Sequence, residues 1–127
     1  MRRFLPLVLL PVLLSGCVTN TITNLTPSAL PRNDDGLYAI EMAWDSNQQT
    51  IRKTSLTPYV VLGFEMFEMR PTLGMGDRWE SFIPVPATES AITYHFKVDW
   101  EENQMGGQPG KGSKLSRVYK LEILDEE

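Results

Sequence analysis

One cysteine and one histidine among 127 residues remove most covalent and catalytic options at the outset. Cys17 has no partner for an intrachain disulfide, so a domain built from this chain is held by packing even in an oxidising compartment. His95 is the one imidazole around which a hydrolytic triad or a zinc centre could be built. It alternates with apolar positions alongside Lys97, Asp99 and Glu101, which reads as the charged outer face of a strand rather than a ligand row. Basic residues are outnumbered 12 to 16, a balance that does not attract nucleic acid or anionic headgroups. Gly110-Lys111 suggests a phosphate-binding loop, but the earlier glycine such a loop needs is Met105 and its hydroxyl residue is Gly112. No apolar run is long enough to cross a bilayer: Phe4 to Leu14 is eleven residues, interrupted by Pro6 and Pro11.

That short run has a different use. Arg2 and Arg3 precede it and Ser15-Gly16 follow, so Met1 to Gly16 reads as an export signal. Leu14-Ser15-Gly16-Cys17 resembles the lipobox of bacterial lipoproteins: a branched apolar residue, two small residues beside the scissile bond, and a thiol to acylate. The resemblance implies cleavage between Gly16 and Cys17 and a mature chain that begins with lipid on Cys17. It implies a membrane anchor of several acyl chains and, with Val18 where an aspartate would favour the inner membrane, placement in the outer membrane. Without Arg2 and Arg3 the remaining chain holds 10 basic and 16 acidic residues, a formal charge of −6.

Residues after Cys17 alternate in strands of period two. Val18 to Pro31, rich in Thr, Asn, Ser and Pro, reads as a tether or a weak first strand, with the domain proper from residue 32. Asn24-Leu25-Thr26 matches a glycosylation sequon of little weight in such a protein. Asn33-Asp34-Asp35-Gly36 reads as a turn; too few spaced oxygens are present for a calcium loop. Tyr38, Ile40, Met42 and Trp44 share one strand face, and Trp79, Ser81, Ile83 and Val85 share another, closed by Pro84 and Pro86. Tyr59 to Leu62 and Phe64 to Met69 read as strands, Thr50 to Thr57 as strand or loop. Ile92, Tyr94, Phe96, Val98 and Trp100 give the clearest alternation, followed by a glycine-rich connection over Glu102 to Ser113 and a last strand from Leu115 to Leu124. Asp125-Glu126-Glu127 is a solvated tail.

About seven such strands, with no helical period, specify an all-β, antiparallel sandwich. At Tyr94-His95-Phe96 the sequence resembles immunoglobulin-like and fibronectin type III-like domains: Tyr94 stands where those domains place the tyrosine corner, and Phe96 where antibody domains carry their second cysteine. The resemblance implies an architecture that hosts many functions.

The chemistry is correspondingly sparse. Met66, Met69 and Met75 offer soft thioethers for Cu(I), and equally good core filling. Tyr59, Trp79 and Trp100 are the candidate ligand contacts, able to stack on sugar rings; Trp79 and Trp100 keep register with core neighbours, which favours the core for both, and Trp100, beside the long connection, is the one better placed to reach the surface. The expectation is a non-enzymatic protein without cofactor or bound metal. It is anchored to the membrane by lipid on Cys17, acts as an interaction or structural module with an envelope protein partner, and binds no nucleic acid. The alternative is a ligand-binding module for cell-wall glycan or a metal ion.

Overall fold

Alternating apolar side chains set the strands of the structure, a computed structural model that describes residues 17–125; the expected signal segment with Gly16, and the last two residues of the acidic tail, lie outside the described residues. The strands are β1 (Asn20–Asn24), β2 (Ala29–Pro31), β3 (Leu37–Ser46), β4 (Thr57–Leu62), β5 (Glu65–Glu68), β6 (Arg70–Pro71), β7 (Arg78–Pro84), β8 (Ala91–Glu102), β9 (Gly110–Leu115) and β10 (Tyr119–Leu124). One sheet runs β1-β3-β7-β6; the other runs β2-β10-β8-β4-β5, with β9 also on β8. Two sheets in these orders are the immunoglobulin-like sandwich, with β3, β7, β4 and β8 at its centre. All pairings are antiparallel except that of β2 with β10.

The expected inward faces meet between the sheets. Tyr38, Ile40, Met42 and Trp44 of β3 and Ile83 of β7 face Val60 of β4, Tyr94, Phe96, Val98 and Trp100 of β8, and Leu121 and Ile123 of β10; all are buried. Burying each such side chain contributes roughly 1.5–3 kcal/mol, which is what replaces a disulfide here. Phe96 meets Tyr94 edge-on at 5.6 Å and Tyr119 at 5.9 Å, and Trp44 meets Trp100 across the sheets at 5.5 Å.

Three sequence expectations change. First, the domain does not begin at residue 32. β1 pairs with β3 over Asn20↔Ser46 to Asn24↔Met42, so the tether reading of Val18 to Pro31 gives way to the first-strand one. The strand then crosses to the other sheet at Thr26-Pro27. Thr26 Oγ1 accepts from Glu41 N and donates to Glu41 O, Asn24 Oδ1 accepts from Thr26 N, and β2 continues beside β10. Second, the glycine-rich connection is strand at its C-terminal end: β9 pairs with β8 from Lys97↔Leu115 to Glu102↔Gly110, leaving residues 103–109 as the turn. Third, ten strand segments replace about seven, because the first strand divides between sheets, β6 is a two-residue edge, and β9 forms in the expected connection while the last strand shortens to β10. Ser116 fills the break between β9 and β10: its N donates to Phe96 O and its Oγ accepts from Phe96 N.

Tyr94 occupies the tyrosine-corner position but uses its hydroxyl differently, accepting from Asn24 Nδ2 at 2.9 Å and so tying β8 to the point where the first strand changes sheet. The Asn24 side chain of the sequon is consumed in this contact. Burial raises the Tyr94 pKa above the ordinary 10.0, outweighing the lowering by Thr26 and Asn24. The folded protein therefore keeps the phenol neutral where the unfolded chain would ionise. Stability is flat with respect to this group below the ordinary pKa and falls as pH rises above it. Tyr94→Phe should cost about 1 kcal/mol at neutral pH through the lost hydrogen bond and flatten the alkaline limb; urea titrations at pH 7 and above pH 10 read both effects.

Candidate functional site

The richest surface lies at one end of the sandwich, where β3 ends, β7 begins and β8 turns into β9. Pairings place three loops there: residues 47–56 after β3, 72–77 before β7 and 103–109 after β8. Ile51 bridges Glu102, Asn103 N donates to Thr50 O, and Trp44 N donates to Asp77 O. That last bond explains an unusual backbone. Asp77 has φ 62°, the left-handed region, because its carbonyl turns inward to extend the β3–β7 ladder by one more bond.

Cys17 sits at this same end, exposed. Only Val18 and Thr19 separate it from β1, and a clasp holds the segment down. Asn47 Nδ2 donates to Cys17 O at 2.9 Å, Thr19 N donates to Asn47 Oδ1 at 2.7 Å, and Asn47 N donates to Thr19 O at 3.1 Å. Nothing local announces this contact, since Asn47 lies thirty residues from Cys17.

Between the 47–56 and 72–77 loops is a groove of about 290 Å³ with Trp44, Trp79, Ile51 and Met75 among its walls. Asp45, Asp77, Lys53 and Arg78 also line it, two charges of each sign, and Gln48 adds an amide. Flat indole surface beside hydrogen-bonding groups suits a sugar ring or a small amphipathic ligand. A second, wider trough of about 790 Å³ crosses the end of β8 between the 52–57 segment and β9, lined by Arg52, Thr57, Asp99, Trp100 and Lys111.

The three aromatic candidates go to three places. Trp79 is half-buried in the groove wall. Trp100 takes the core place its register favours and is 6 % exposed: it packs on Trp44, its Nε1 donates to Glu102 Oε2 at 2.8 Å, and its ring occupies the space that a side chain on Gly112 would fill. Only its edge reaches the trough. Tyr59 lies on the outer face of its sheet, in the row Glu68–Tyr59–Lys97–Leu115. The chain thus forms no three-ring platform; Trp79 is the indole that faces the groove, and Trp44 beneath it is 5 % exposed and shows only an edge.

The methionines are likewise dispersed. Met66 is exposed on β5, Met69 is buried between the sheets, and Met75 is in the 72–77 loop with its sulfur 3.8 Å from Arg78 Nη1. His95 lies half-buried on an outer face, paired with Val61. Of its acidic row, Asp99 contacts Lys97 and Ser113, and Glu101 contacts Arg52; among the described residues no three His, Cys, Asp or Glu side chains converge.

At the opposite end, the β4–β5 hairpin turns on Gly63 and Phe64, with Gly63 at φ 63°. Phe64 at its tip is fully exposed and Met66 beside it nearly half exposed. A bulky aromatic ring is an unusual occupant for the tip of a two-residue turn.

No protein-family model matches the chain, and no curated protein matches it. Among solved structures, one of murine CRIg is similar: it is 13 % identical, covers 84 % of this chain and 99 % of its own, and gives a TM-score of 0.40.

Proposed function

We propose that the protein is a lipid-anchored component of the bacterial cell envelope, in the outer membrane, whose immunoglobulin-like domain is a non-enzymatic interaction module for an envelope protein partner. The anchor is lipid on Cys17, after cleavage behind Gly16, as the lipobox residues imply. The observation that carries the interaction reading is Phe64, a fully exposed aromatic at a hairpin tip on the end of the sandwich away from Cys17, with Met66 beside it. Aromatic and methionine side chains are the commonest anchors of protein interfaces, and a hairpin tip presents one with little lost entropy. A photoreactive residue at position 66 should capture a discrete envelope protein in intact cells, and Phe64→Asp should lower that yield about tenfold. Capture that is indifferent to Phe64→Asp would remove the reading.

The Trp44–Trp79 groove favours a second reading, a ligand-binding module for cell-wall glycan. A saturable tryptophan emission shift on adding cell-wall glycan fragments, lost in Trp79→Ala, would support it. An unchanged spectrum would oppose it.

A further inference from the structure

We propose that the end of the sandwich bearing Cys17 is a lipid-contact face. The domain rests on the bilayer through the 72–77 and 103–109 loops, with Leu73 and Met105 in the headgroup region. This rests on the acylation of Cys17 proposed above and adds an orientation and a surface to it.

Two independent features converge. The first is the length of the spacer. Two residues separate Cys17 from β1, three steps of extended chain at about 3.5 Å each, so the tether reaches roughly 10 Å. The Asn47 clasp shortens it further by holding both Cys17 O and Thr19 N. The sandwich is much longer than that: β8 alone, at twelve residues, runs roughly 40 Å. Lipid at Cys17 therefore brings this end to the bilayer. With the sandwich upright on this anchor, the Phe64 hairpin, at the far end of β4, stands away from the membrane surface.

The second feature is what the loops at this end display. Leu73 is 96 % exposed and Met105 is 102 % exposed, on two different loops, and Val18 and Met75 add partly exposed apolar surface. Loop tips in water ordinarily carry small polar residues. The charged side chains lining the groove at this end balance, two of each sign, so the contact is made by apolar insertion rather than by attraction to anionic lipid.

The test uses the native lipoprotein reconstituted into vesicles of phosphatidylethanolamine and phosphatidylglycerol. Three single variants, Leu73→Cys, Met105→Cys and Phe64→Cys, are labelled with a membrane-impermeant maleimide. All three positions are exposed loop tips, so the fold tolerates them. Labelling at 73 and 105 should be about tenfold slower than at 64 on vesicles and equal to it in detergent. The mass of the N-terminal peptide is read from the same samples. A lipid-bearing Cys17 with positions 73 and 105 labelled as fast as 64 overturns the lipid-contact face alone. An unmodified Cys17, which would itself take up the maleimide, overturns the anchor reading and this inference with it.

Discussion

Replacing Cys17 by Ala in the domain exported behind an ordinary cleavable signal should move the protein from the membrane pellet to the soluble fraction, a shift of at least about a hundredfold in partition. Each buried methylene contributes roughly 0.8 kcal/mol, one acyl chain anchors only marginally, and two or more anchor stably. Cys17 is the only thiol in the chain, so no second site can take over. The fold should be indifferent to the change: Cys17 is exposed, and its bond to Asn47 uses the backbone carbonyl, which alanine keeps. Equal thermal midpoints for the two forms, together with opposite fractionation, would separate anchoring from stability. Retention of the alanine variant in the pellet would place the membrane contact elsewhere.

Phe96→Ala should unfold much of the protein at 37 °C. Phe96 is fully buried on β8, the strand that pairs with β4 on one side and with β9 and β10 on the other. Its ring packs on Tyr94 and Tyr119, and its backbone holds Ser116 at the break between β9 and β10. Truncating a buried Phe costs about 3–5 kcal/mol, against a total of roughly 5–15 kcal/mol for a domain of this kind. No disulfide joins the two sheets to limit the loss, since Cys17 lies at the surface. For about 100 residues that loss lowers the thermal midpoint by roughly 15–30 °C. Phe96→Leu, which refills much of the volume, should recover more than half of it; a midpoint unmoved by Phe96→Ala would show that the core is not centred there.

How much of this was readable in advance depended on where each signal resides. β3 and β8 announced themselves, because a strand with one face in the core and one in water writes that division into alternate residues. β9 did not: Gly110-Lys111-Gly112 has poor strand propensity and pairs only because β8 offers a long free edge and Trp100 needs the space over Gly112. The same contact completes the burial of Trp100, which its register with the core residues of β8 already favours. β1 was half legible, since Thr and Asn side chains suit a loop as well as an edge strand, and what decides for strand is the register with β3. The Asn47 clasp and the Trp44–Trp79 groove join residues far apart in sequence and leave no local pattern at all.

The most direct test is the mass of the N-terminal peptide of the protein isolated from the cells that make it. The expected peptide begins at Cys17 and carries acyl chains on it, with residues 1–16 gone. A chain that retains Met1, or that begins elsewhere with a free Cys17 thiol, would contradict the anchor on which the proposed function is built.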